Sequence, residues 1–153
     1  MSNNNNIESK AYDLKDGVLT IHDGATLDNE YFDDRNDIVK VNLPDGLKEI
    51  HDEMFAEDYN LTEVNLPDSL ESISYEAFAS CKRLKNIDLP DSLESIGSSA
   101  FAYTGLENIK IPESVKEIGD SAFFRTALQE ITIIFKKLKA EPLPSARICV
   151  KLL

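Results

Sequence analysis

The chain has 153 residues, 42% hydrophobic and 29% charged, with no tryptophan and a formal net charge of −12. One domain with a real core fits these totals, and the composition is neither that of a disordered polymer nor that of a membrane protein. The acidity argues against a nucleic-acid backbone as ligand, since phosphate binding needs clustered Lys and Arg, and no stretch reaches the roughly 18 apolar residues of a membrane span.

In chain order, residues 1–10 are Asn-rich and polar, with nothing to bury, and read as a disordered lead-in. No basic end followed by an apolar run announces a secretory signal, so the cytoplasm is the default compartment. Residues 11–40 read as an N-terminal cap containing a degenerate repeat: Val18 to Ile21 as a first strand, Asp23-Gly24 as a turn, then Leu27, Phe32 and Ile38 near the places a repeat would give apolar residues. Asp23, Asp28, Glu30, Asp33, Asp34 and Asp37 crowd this cap, yet they lack the order of a calcium loop.

One line of text is then written four times: VNLPDGLKEI, VNLPDSLESI, IDLPDSLESI and IKIPESVKEI, starting at Val41, Val64, Ile87 and Ile109. The steps of 23, 23 and 22 residues are the signature of a solenoid. The repeats are taken as 41–63, 64–86, 87–108 and 109–130. Leu61, Leu84, Leu106 and Leu128 precede a short strand centred on Val41, Val64, Ile87, Ile109 and Ile131. Leu43, Leu66, Leu89, Ile111 and Ile133 end it, on the same face by the period-2 rule. Pro44, Pro67, Pro90 and Pro112 stop it, because proline cannot donate to the ladder. Leu47 and Ile50, with their counterparts in later repeats, form either a second short strand or a single turn. Phe55, Phe78, Phe101 and Phe123 fall in one column and are expected to stack as the spine of the core.

The run of strand, Leu-Pro-x-Ser-Leu, Ile96-Gly97, Ala100-Phe101 and Thr104, repeated as Ile118-Gly119, Ala122-Phe123 and Thr126, resembles the BspA-like branch of the leucine-rich repeat family. The match covers about residues 38 to 133 and departs at His51, Ser74 and Met54. The resemblance implies a leucine-rich repeat solenoid with a short parallel β-sheet on its concave face, and short strands, turns and 3-10 or helical turns on its other sides. It also implies a partner-binding concave surface.

Beyond Ile133 the repeat pattern fails, and residues 131–153 read as a last strand and a C-terminal cap of about +4, from Lys136, Lys137, Lys139, Arg147 and Lys151 against Glu141. An open strand edge after Val150 could pair with another chain, so a monomer or a weak dimer through a terminal cap is expected.

The side chains flanking each strand centre should point to solvent: Lys40, Glu63, Asn86, Asn108 and Glu130 before it, Asn42, Asn65, Asp88, Lys110 and Thr132 after it. Lys40 is expected beside Glu63 and Asp88 beside Lys110, giving a polar, nearly neutral ledge across five rungs. Either this ledge docks a protein partner or it is a solvated sheet face. The turn column Asp45, Asp68, Asp91 and Glu113 stacks four acids, as a stripe for cations or as turns in which each carboxylate folds onto its own backbone. Cys81 and Cys149 stand in no C-x-x-C spacing and give neither a disulfide framework nor a zinc signature. His22 and His51 have no Ser, Cys or metal partner at a meaningful spacing. No catalytic, cofactor or metal residue is assigned, and the chain reads as a non-enzymatic protein-interaction module. Two other readings stand beside it: a surface or secreted adhesion or host-interaction protein, and an acidic inhibitor that fills the basic groove of a nucleic-acid enzyme.

Overall fold

The computed structural model describes residues 12–24, 37–128 and 130–133, with side chains for the first two segments. The expected lead-in, residues 11 and 25–36 of the expected N-terminal cap, and all of the expected C-terminal cap after Ile133 lie outside them. The chain winds as a solenoid, and Pro44, Pro67, Pro90 and Pro112 keep the rungs of the four clear repeats short. Its first strands are β1 (Tyr12–Lys15), β2 (Val18–Ile21), β3 (Lys40–Asn42), β4 (Glu49–Ile50) and β5 (Glu63–Asn65). They continue as β6 (Ser72–Ile73), β7 (Ser95–Ile96), β8 (Asn108–Ile111), β9 (Glu117–Ile118) and β10 (Glu130–Ile133).

Two ladders run along the stack. On the first side the order is β1-β2-β3-β5, antiparallel only at β1 with β2, and β8 pairs separately with β10. On the second side β4, β6, β7 and β9 form an unbroken parallel ladder, with Ile50, Ile73, Ile96 and Ile118 in register. Leu47-to-Ile50 and its counterparts thus contain a second strand. One expectation fails: residues 86–88 are not a strand, and the expected five-rung sheet is interrupted around Ile87.

The third side is made of hydrogen-bonded turns, and no helix occurs among the described residues. Here the backbone alternates. The amides of Phe78 and Ser80 donate to Ala100 and Ala102 of the next repeat at 2.8 Å, while that of Ala79 donates back to Glu76 at 2.9 Å. Positive φ at Glu76 and Ser80, and at Ser99 and Tyr103 one repeat on, makes this alternation possible. The left-handed conformation costs a non-glycine residue roughly 1–2 kcal/mol, which the inter-repeat bonds offset.

Inside, the apolar columns meet. Phe55, Phe78 and Phe101 are fully buried, and their ring centroids lie 5.4 and 5.3 Å apart. Phe123 continues the stack at 5.6 Å with its plane 1° from that of Phe101. Burying each such ring contributes about 1.5–3 kcal/mol, and the offset stacking adds to that.

At the N-terminal end, β1 and β2 form a hairpin through Asp16 and Gly17, whose φ angles of 51° and 79° suit a two-residue primed turn. The Gly17 carbonyl accepts from the amides of Val39 and Lys40 at 2.8 and 3.1 Å, which fastens the hairpin onto the first clear repeat.

Candidate functional site

The outer face of the first side carries the described side chains among those singled out from the sequence. In β5 the pattern is exposed, buried, exposed, so Glu63 and Asn65 face solvent while Val64 enters the core. Lys40 and Asn42 flank Val41 on β3, and Asn108 and Lys110 flank Ile109 on β8. Glu130 and Thr132 stand in register with Asn108 and Lys110. Asn86 and Asp88 hold the corresponding places on the segment outside the sheet, where both are exposed.

The first rungs are tied to one another by their own side chains. The Lys40 ammonium lies 2.6 Å from Glu63 Oε1. The Asn65 carboxamide donates to Asn42 Oδ1 at 2.8 Å, and Asn42 donates to Thr20 Oγ1 at 3.4 Å. The face changes character at 86–88. Asp88 and Lys110, expected as a pair, do not meet; with Asn86, Asn108 and Asp91 they line a cleft of about 430 Å³.

Three further cross-rung ion pairs were not singled out from the sequence: Lys48 with Glu71, Lys85 with Glu107 and Lys116 with Glu94, at 2.6, 2.8 and 2.8 Å. The signal for them was present, since each is a Lys and a Glu one repeat apart in the same column. The hydrogen bond from Lys85 to Glu107, and then the charge of that carboxylate, holds the ammonium above its usual range. Such exposed pairs serve register more than stability.

In the turn column it is the serine after the acid that makes the inter-repeat contact. Ser69 and Ser92 donate to the Leu47 and Leu70 carbonyls at 2.8 and 2.6 Å, while Asp45, Asp68 and Asp91 are exposed. Among the described residues, no three His, Cys, Asp or Glu side chains converge as ligands for a metal.

Glu49 accepts from the Ser74 hydroxyl at 2.7 Å and lies 3.7 Å from His51 Nδ1. The carboxylate stands between the other two, so no imidazole reaches the hydroxyl to activate it. His22 Nε2 lies 3.1 Å from Asp13 Oδ2. Cys81 donates to the Phe55 carbonyl at 3.0 Å, and burial, then the charge of Asp58, pushes its thiol pKa well up. This is an unreactive cysteine.

A stack of short parallel rungs with a leucine-rich core and a phenylalanine spine defines a leucine-rich repeat solenoid. The family model for the BspA type leucine rich repeat region matches residues 25–141 in six copies, and the chain belongs to that family. Among solved structures it is similar to the leucine rich repeat protein of T. pallidum, TpLRR, with 29% identity and a TM-score of 0.67, over 78% of this chain and 66% of that one. It is similar in fold to a leucine-rich repeat protein from Bacteroides ovatus, with 24% identity and a TM-score of 0.62, over 79% of this chain and 39% of that one. It is also similar in fold to the pneumococcal vaccine antigen PcpA, with 23% identity and a TM-score of 0.55, over 82% and 37%. The chain therefore spans less than two thirds of the length of each. No curated protein matches it. The family and fold are those of repeat proteins, which points to a protein-interaction or surface-type module.

Proposed function

We propose that this protein binds a protein partner through the outer face of its first side, by way of Lys40, Asn42, Glu63, Asn65, Asn86, Asp88, Asn108, Lys110, Glu130 and Thr132. One observation carries the reading. The solvent-facing positions change from rung to rung, Asn65 to Asp88 to Lys110, while the inward column of Val64, Ile87 and Ile109 stays aliphatic and buried. A row of varied polar groups on a uniform scaffold is what recognition of one partner needs. Extended surfaces of this kind are the usual gift of solenoid geometry. The face mixes both charge signs with carboxamides, which suits a protein surface better than a uniformly basic groove, so the inhibitor reading is set aside.

The test is affinity capture from the cells that make the protein, with Asn65→Arg and Asn108→Arg beside wild type and Arg83→Glu as a control away from the rung centres. A partner retained by wild type and by the control, and lost from both face variants, supports the reading. A partner retained by both face variants contradicts it.

A further inference from the structure

The spacing of the repeat changes once along the described residues. From Phe55 to Leu61 and from Phe78 to Leu84 the step is six residues, and from Phe101 to Leu106 and from Phe123 to Leu128 it is five. The shorter arm draws Gly105 onto the arm beneath it. Its amide donates to the Cys81 carbonyl at 3.4 Å, and a Cβ there would stand 2.4 Å from the Lys82 carbonyl oxygen. Residues 86–88 form the last rung reached by a long arm and the first to face a rung reached by a short one. At this junction the sheet on the first side is interrupted and the cleft opens.

Three features of the cleft describe its ligand. Four lysines close onto a carboxylate one repeat away, at 2.6 to 2.8 Å. Asp88 and Lys110 hold the same register position on successive rungs, yet both edge the cleft with their charges unmatched by each other. In addition, the backbone of 86–88 has no partner strand, so peptide groups that a sheet would consume have no ladder partners there. The floor is apolar, formed by Ile87, Leu89, Ile109 and Pro112.

We propose that this cleft is a peptide subsite for an arginine or lysine of the partner. Asp88 and Asp91 hold the cation, the apolar floor packs its methylene stem, and Lys110 with the Asn86 and Asn108 carboxamides receives neighbouring main-chain carbonyls. Two carboxylates against one ammonium leave the cleft net negative, which sets the sign of the incoming side chain. Carboxamides can both donate to and accept from a peptide group. Long basic side chains bury their stems on apolar surface while their heads stay polar. The volume lies within the few hundred Å³ typical of small ligand sites. The inference rests on the reading of this face as the partner surface and adds the chemistry of one contact.

The test is an amide NMR titration of the isotope-labelled protein with acetyl-Gly-Gly-Arg-Gly-Gly-amide and its Gln and Glu counterparts. The Arg peptide should give saturable shifts centred on 86–91 and 108–111, at least tenfold weaker with Gln or Glu at the centre. Asp88→Asn with Asp91→Asn should weaken the Arg peptide at least tenfold without moving the thermal midpoint, since both residues are exposed. Equal response to the three peptides, shifts elsewhere only, or undiminished binding by the double variant would overturn the subsite. Loss of the captured partner by Asn65→Arg together with no Arg-peptide response would remove the subsite and leave the face reading in place.

Discussion

A side-chain carbon on Gly105 would stand 2.4 Å from the carbonyl oxygen of Lys82, closer than any real contact of that kind. Gly105→Ala must therefore push two arms apart, and a cost of about 1–3 kcal/mol is expected from such overpacking. Ala127 holds the same place in the next repeat and is exposed, so Ala127→Gly should change stability far less. Denaturant unfolding of both variants checks the contrast, and equal costs would show that the short arm is not pinned at Gly105.

Phe78 stacks between Phe55 and Phe101 with centroids 5.4 and 5.3 Å away. A ring held from both sides leaves a cavity that cannot collapse, so Phe78→Ala should cost roughly 3–5 kcal/mol. Phe123, half-buried, has one described neighbour in the stack, and Phe123→Ala should cost less. Equal thermal midpoints for Phe78→Ala and wild type would refute the spine.

The core, the stacked rings, the proline-ended rungs and the family were legible in the sequence because a periodic text repeats the same physics at each copy. The hairpin strand β1 was missed although Asp16-Gly17 between apolar alternations is the standard letter signal for it. The cleft could not be read, because the one-residue loss between Phe101 and Leu106 shows in the letters while the broken rung it accompanies is a three-dimensional consequence. Positive φ at Glu76 or Ser99 left no trace either, since neither is a glycine or an asparagine.

Ser92 donates to the Leu70 carbonyl at 2.6 Å, whereas the buried Ser114 hydroxyl in the same column has no hydrogen-bond partner. Ser92→Ala should cost about 1 kcal/mol, and Ser114→Ala should be neutral or stabilising, because removing an unsatisfied buried hydroxyl relieves its desolvation. Paired thermal melts decide it, and a larger loss for Ser114→Ala would contradict the assignment.

Burial raises the Cys81 thiol pKa above its unfolded range. A group raised in the folded state adds stability that is complete below the unfolded pKa of about 8.5 and declines as pH rises above it, while the unfolded chain ionises and the native thiol does not. Stability should accordingly fall above about pH 8.5, and Cys81→Thr, the residue found at position 104 of the same column, should remove that part of the slope. Identical alkaline slopes for the two proteins would exclude Cys81 as the cause.

The account turns on the outer face of the first side as the surface that meets another protein, interrupted at Asn86 to Asp88 and continued by Asn108 and Lys110. Photo-crosslinking in the cells that make the protein tests it most directly, with the reactive residue placed at Asn65, Asn108, Glu57 or Arg83 in separate variants. A common protein adduct formed from Asn65 and Asn108 and absent from Glu57 and Arg83 is the predicted result. Adducts formed from Glu57 or Arg83 alone would place the partner on another side of the solenoid and contradict the account.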